Sequence, residues 1–215
     1  MKFHRINMDT WHRKTTFQQF SAGTPCTYSI TVNLDITKLL LEMKKRNLKI
    51  FPTFLYGIAT VVNRHSEFRM DFDEHGNVGF YDYASPCYTV FHSETETFTN
   101  VWTAYDPEFS SFYHNYEEDM ETYQDDIHNS KPVATESLFH VSCIPWASFT
   151  GFNLNLEKGY TYLSPILTLG KYFAENGRML LPLAVQVHHA VCDGFHTARF
   201  VNELQEWADT FSLQT

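Results

Sequence analysis

Between residues 28 and 36, apolar and polar side chains alternate without a break. Tyr28, Ile30, Val32, Leu34 and Ile36 fall on one face, and Ser29, Thr31, Asn33 and Asp35 on the other. A period of two is the signature of a half-buried strand. At residue 37 the period changes. Leu39, Leu40 and Met43 recur at helical spacing and predict a helix over 37–46, with Lys44, Lys45 and Arg46 as its solvated end. Pro52 is tolerated in a first helical turn, so a second helix is expected to begin there and run through Phe54, Leu55, Ile58 and Val62. The stretch 68–82 reads as a hairpin about Glu74-His75-Gly76-Asn77, and 87–92 as a further strand.

Downstream, Pro107 opens a polar helix. Phe109, Phe112, Tyr113, Tyr116, Met120, Tyr123 and Ile127 recur along it at helical spacing, as a core stripe does. A loop is expected at 129–135, and strands near 138–144, 162–169 and 179–187. The last helix is expected over 194–211, burying Ala198, Val201, Leu204, Ala208 and Phe211. There is no internal repeat and no low-complexity linker. Strands and helices interleave along the whole length, which predicts one α+β domain over 1–215, a mixed β-sheet flanked by helices.

Composition narrows the function classes. Of the 215 residues, 43% are hydrophobic and 16% aromatic, enough for a sizeable core, with a surplus of rings available to line a ligand pocket. The net charge of -9 and the absence of a basic patch exclude a phosphate-tracking surface, so no nucleic-acid partner is expected. Cys26, Cys87, Cys143 and Cys192 are isolated and read as reduced thiols, mostly buried. No secretory h-region and no apolar run of bilayer length occurs, so a cytoplasmic protein without a membrane partner is expected.

The chemistry concentrates where the apolar strand at 180–187 ends in His188-His189-Ala190-Val191-Cys192-Asp193-Gly194, with the last helix following at once. Adjacent strand residues point to opposite faces, so at most one of the two histidines faces a given site. A histidine here can act as a base if it is neutral, and burial and a nearby helix N-terminus both disfavour its protonated form. A structural histidine bonded within the strand end is the plainer alternative. A metal is the competing chemistry, since His188, His189, Cys192, Asp193 and His196 lie close together. Their spacing matches no standard ligand pattern, and no metal is expected.

HHAVCDG fits the HHxxxDG signature of coenzyme-A-dependent acyltransferases. Beyond it, Trp11-His12-Arg13, Pro25-Cys26-Thr27-Tyr28-Ser29, Phe91-His92-Ser93-Glu94-Thr95-Glu96-Thr97-Phe98, Ser142-Cys143-Ile144-Pro145-Trp146 and Phe152-Asn153-Leu154-Asn155 resemble chloramphenicol acetyltransferases in the same order. The resemblance covers essentially the whole chain and implies a coenzyme-A-dependent acyltransferase-like fold.

Matched residue by residue, the resemblance implies that His189 is the general base, taking the proton of a chloramphenicol hydroxyl as it attacks the thioester of acetyl-coenzyme A in a ternary complex. Asp193 pairs with Arg13 and fixes the geometry around the base. Ser142 donates to the oxyanion, and Thr168 holds an ordered water nearby. Phe98, Leu154, Tyr28 and Cys26 match the acceptor pocket. Phe20 stands where many relatives carry a tyrosine, and Thr24 where they carry a leucine. These two departures, with the Asn129-Ser130 loop, bear on acceptor specificity. Trp146 and Tyr172 match contacts to coenzyme A, which is a co-substrate and not a resident cofactor. The resemblance also implies a homotrimer with active sites at subunit interfaces.

Two other readings remain. Dihydrolipoyl acyltransferases share the HxxxDG logic, but carry a lipoyl module and a Pro/Ala-rich linker not found here, and peptide-synthetase condensation domains are about twice this length. A non-catalytic binding module would need no general base.

Overall fold

The computed structural model describes residues 1–133, 137–156 and 161–212. In chain order its first elements are β1 (Phe3–Arg5), α1 (Lys14–Gln18), β2 (Thr27–Asp35), α2 (Thr37–Arg46) and α3 (Ile50–Arg64). There follow β3 (Met70–Phe72), β4 (Val78–Tyr81), β5 (Ser85–His92), β6 (Thr97–Trp102) and α4 (Phe109–Tyr123). The chain continues through β7 (Leu138–Ile144), β8 (Ile166–Gly170), β9 (Phe173–Glu175), β10 (Arg178–His188) and α5 (Gly194–Thr210).

The main sheet has the order β2-β10-β8-β7-β5-β6, with β9 added against β10. It is mixed: β5–β7 and β7–β8 are parallel, and the remaining pairs antiparallel. A second sheet of three short strands, β1-β4-β3, stands apart from it. The run of apolar residues in β10 explains its central place: it is covered by a strand on each side and buried for nearly its whole length.

Helices pack on one face of the main sheet. Leu167 and Leu169 of β8 and Leu183, Val185 and Val187 of β10 meet Leu39, Phe54, Ile58, Phe200 and Leu204 in one core. The helices approach closely enough at Gly57 that a Cβ there would lie 2.3 Å from the Trp207 ring, so only glycine fits. The other face carries Ser142, Thr168, Ala184 and Gln186, and is crossed by the irregular segment 145–156. That segment is tied down by the Phe152 N–H donating to Thr31 Oγ1 and by Gln186 bonding Leu154.

The predicted α+β architecture is the observed one, and 37–46 and 138–144 have their expected bounds. Other boundaries move for local reasons. α3 begins at Ile50, so Pro52 lies inside its first turn. α4 stops at Tyr123, leaving Ile127 exposed in a turn where Asp126 accepts from the His128 and Asn129 backbone. β8 begins only after Pro165. α5 buries Leu204 and Ala208 as expected, with Val201 and Phe211 half-buried against the core, but near its start Thr197 and Phe200 are the buried residues and Ala198 is exposed. β1, β6, β9 and α1 carry too few residues or too little alternation to be read beforehand. The end of the expected loop, 134–135, lies outside the described residues. All four cysteines are free, Cys87 and Cys192 buried and the other two half-buried. Among the described residues no helix is long and apolar enough to cross a membrane.

Candidate active site

β10 ends at His188, whose side chain is buried and whose Nδ1 accepts the Ala190 N–H at 3.1 Å. The chain then turns sharply, with the Val191 and Cys192 N–H groups both donating to the His188 carbonyl. Ala190, Val191 and Cys192 plug into the core at 1% exposure or less. This accounts for the motif's spacing. Three apolar residues anchor the turn, and the polar residues on either side, His189 and Asp193, are left facing outward, half-buried.

Arg13 clamps this turn from the opposite side of the chain. Its Nε donates to the Ala190 carbonyl at 2.8 Å, Nη2 to the His189 carbonyl at 2.9 Å and Nη1 to Asp193 Oδ2 at 2.8 Å. The fork geometry of guanidinium suits three acceptors around one bend. Asp193 is extended and begins α5; its other oxygen lies 2.8 Å from His196 Nδ1. Partial burial pushes the Asp193 carboxyl up, but the bonds and charges of Arg13 and His196 outweigh it and hold the group below the usual carboxylate range. Asp193 is thus an anion spent on its two neighbours.

The His189 ring is fixed on three sides. Nδ1 lies 3.0 Å from the Cys192 carbonyl; a carbonyl can only accept, so Nδ1 is a donor, and in the neutral imidazole this tautomer puts the lone pair on Nε2. Phe20 stacks on the imidazole, with centroids 4.0 Å apart and planes at 17°. Phe20 is delivered by a single π-helical turn, Gln19–Gly23, which continues α1. Tyr28 meets the ring edge-on at 5.3 Å and bonds Thr197 Oγ1 at 3.2 Å; burial pushes its hydroxyl up to about 12. The Cys26 carbonyl accepts the His189 N–H at 2.9 Å. Thr24, at the end of the π turn, is exposed.

The remaining predicted residues fall into separate places. Leu154 lines a cleft of about 390 Å³ with Thr27, Ser29, Asn155 and Gln186 on the face opposite the helices, whereas the Tyr28 side chain is on the helix face, bonded to Thr197 of α5. Ser142 and Thr168 are register partners on β7 and β8, and Thr168 is opposite Ala184 of β10. His189 lies five residues beyond Ala184, about 17 Å along the strand direction, and Ser142 is two strand spacings across, about 10 Å. Ser142 and His189 therefore do not meet within one chain. Phe98 is 61% exposed on the edge strand β6, opposite Phe91, and Trp146 packs edge-on against Phe91. Tyr172 follows β8 and lines a small apolar slot of about 110 Å³ with Phe51, Phe54, Cys143 and Leu181.

Gln186 and Phe91 were not singled out from the sequence. The signal for Gln186 was present, as the one polar residue in an otherwise apolar strand. Phe91 had none, because only the pairing of β5 with β6 puts it beside Phe98 and Trp146. Among the described residues, no three histidine, cysteine or acidic side chains gather as a metal-binding group.

Comparison with known proteins places this geometry. The family model described as chloramphenicol acetyltransferase matches residues 1–205. A chloramphenicol acetyltransferase of Campylobacter coli is 52% identical over 207 residues, covering 96% of this chain and 98% of that protein. One of Clostridium perfringens is 51% identical over 213 residues, covering 98% and 97%. Among solved structures, a chloramphenicol acetyltransferase superposes with a TM-score of 0.86 at 24% identity, covering 96% of this chain and 100% of that one. A dihydrolipoamide acetyltransferase of Azotobacter vinelandii reaches 0.65 at 16% identity, covering 91% and 86%, which is a likeness of fold. The chain is an acyltransferase and belongs to the chloramphenicol acetyltransferase family.

Proposed function

We propose that this protein transfers the acetyl group of acetyl-coenzyme A to a hydroxyl of chloramphenicol, inactivating the antibiotic. The observation that carries this reading is the bond from His189 Nδ1 to the Cys192 carbonyl, which selects the tautomer with its lone pair on Nε2, on a ring held by Phe20 and Tyr28. Nε2 takes the hydroxyl proton as that oxygen attacks the thioester carbonyl. The Ser142 hydroxyl donates to the tetrahedral oxyanion, with a water held by Thr168 beside it. Collapse expels the coenzyme A thiolate, which takes the proton back from the imidazolium. Both substrates are bound together, and no acyl-enzyme forms. Arg13 and Asp193 are positioning residues and move no proton.

Phe98, Leu154, Tyr28 and Cys26 border the acceptor, with Phe20 and Thr24 at its edge. Trp146 and Tyr172 face coenzyme A. Acetyl-coenzyme A is a cytoplasmic metabolite, and the enzyme acts there.

The separation of Ser142 from His189 within one chain supports a site shared between subunits of a homotrimer. His189 of one subunit works with Ser142, Thr168, Phe98 and Leu154 of its neighbour.

Thiol release from acetyl-coenzyme A, dependent on chloramphenicol, tests the activity. Mixing two inactive variants tests the sharing. His189→Ala lacks the base, and Phe98→Asp spoils the acceptor wall at an exposed position. In trimers refolded from equal amounts, roughly a quarter of the interfaces join an intact base to an intact wall. Activity near that fraction is expected. No activity, with mixed trimers verified by mass, would place base and wall in the same chain.

A further inference from the structure

From Leu180 to Val187, β10 reads Leu-Leu-Pro-Leu-Ala-Val-Gln-Val, so Gln186 is its one polar side chain. It is 6% exposed. A buried amide costs free energy unless its donors and acceptor are used, so an isolated glutamine in such a strand calls for partners. Gln186 has them at one residue. Oε1 accepts the Leu154 N–H at 2.7 Å, and Nε2 donates to the Leu154 carbonyl at 2.8 Å. The Ser29 hydroxyl reaches the same Oε1 at 3.5 Å. The side-chain amide thus does for Leu154 what the peptide group of an adjoining strand would do. Among the described residues the segment around Leu154 has no ladder of its own, and its other ties are few: Phe152 to Thr31 Oγ1 at 3.3 Å, and Asn153 to Asn155.

The consequence is geometric. Leu154 lines its cleft over Gln186, on the sheet face that also carries Thr168 and Ser142. We infer that Gln186 is a positioning residue for acceptor binding: its two-point grip on the Leu154 backbone sets where that wall of the cleft stands relative to Thr168 and Ser142. The inference rests on the proposed reading of the cleft as the acceptor site. It separates acceptor binding from the chemical step, because Gln186 touches neither His189 nor the Arg13 clamp in any bond described above.

Two variants test it, with chloramphenicol and acetyl-coenzyme A as probes. Gln186→Leu keeps the bulk and removes both bonds. The acceptor KM is expected to rise about 10-fold, since loss of positioning weakens binding before chemistry. Turnover at saturation is expected to stay within about threefold, and the acetyl-coenzyme A KM within about twofold. Gln186→Glu gives a pH signature that a merely structural role would not. Protonated, the carboxyl can accept from the Leu154 N–H and donate to its carbonyl; ionised, it opposes that carbonyl. Burial raises a carboxyl pKa, so the change falls toward neutral pH. Tyr28 is the one other titratable residue among the described residues lining the cleft, and its side chain is on the helix face. The acceptor KM of Gln186→Glu relative to wild type is therefore expected near unity at low pH and to climb as pH rises. Hydrogen exchange gives a readout free of catalysis: the Leu154 amide should exchange faster in Gln186→Leu, while β10 amides keep their protection. Should wild type transfer no acetyl group to chloramphenicol, the proposed function fails, and the exchange result alone decides the positioning role. An unchanged acceptor KM in folded Gln186→Leu, a Gln186→Glu profile parallel to wild type, or unchanged Leu154 exchange overturns the inference.

Discussion

The turn at 189–193 and the row containing Ser142 and Thr168 lie on the same sheet but are built in opposite ways. The turn is finished within one chain. Its three apolar residues are buried, its carbonyls are taken by Arg13, and the His189 ring is held by Cys192, Phe20 and Tyr28. The row around Ser142 is open. Ser142 is half-buried with no hydrogen bond to its side chain among the described residues, on the face opposite the helices, and Phe98 and Trp146 leave large rings in solvent. On the proposed mechanism, the group that holds a proton in one place is fixed by its own chain, and the groups that meet developing charge and two substrates are left open.

The largest effect expected from breaking this contrast is at His189. His189→Ala should lower turnover by ~10²–10⁴-fold with folding intact, because a general base is lost and the clamp does not depend on the imidazole. The adjacent His188 should behave oppositely. It is buried on β10 and its Nδ1 takes the Ala190 N–H, so His188→Ala leaves a buried donor unpaired and costs about 1–3 kcal/mol of stability, with turnover per folded molecule little changed. Urea unfolding and steady-state kinetics on both variants measure this. Near-normal turnover in His189→Ala would remove the proposed base.

How much of this was legible follows the same division. The turn was readable because its chemistry is local: strand, two histidines, three apolar residues, Asp-Gly and helix follow one another in sequence. The partnership of Arg13 with Asp193, 180 residues apart, was reachable only through resemblance, and the structure supplies its reason in the three bonds of the guanidinium. Phe20 was placed by alignment alone, since nothing in the composition of 19–23 marks a π turn. For the Ser142 row, the strands at 138–144 and 162–169 were seen, but the register that sets Ser142 against Thr168, and both away from His189, is a non-local fact that no periodicity encodes. At the start of α5 the buried residue is Thr197 and not the expected Ala198, because Thr197 lies at hydrogen-bonding distance from Tyr28, while Leu204 and Ala208 are buried as expected.

A smaller effect sharpens the open half. Ser142→Ala should lower turnover by ~10²–10³-fold while the dissociation constants of both substrates stay within a few-fold, since an oxyanion donor works where charge develops and not in the ground state. Stability should hardly change, because no intrachain bond is lost. The measurement is kcat beside equilibrium binding of each substrate. Weakened binding with unchanged kcat would make Ser142 a recognition residue and leave the oxyanion without a named donor.

The smallest effect concerns the closed half, and pH separates its electrostatic part from its packing. In Asp193→Asn, Arg13 keeps its bonds to the Ala190 and His189 carbonyls, so the turn should persist but loosen, and turnover should fall about 10-fold through misplacement of the ring. The carboxyl of Asp193 is held below its ordinary range in the folded protein, so the unfolded chain binds the proton first as pH falls. The stabilisation from ionised Asp193 is therefore fully present above the ordinary carboxylate pKa. It declines as pH drops through the interval between the unfolded and folded values, and is gone once pH lies below both. Wild type should thus exceed Asp193→Asn in urea midpoint at neutral pH, and the two midpoints should converge under acid. The side chain is 38% exposed, so the gap should also narrow with added salt. A gap that stays constant from neutral to acid pH would mean that shape, and not the charge paired with Arg13, holds the turn.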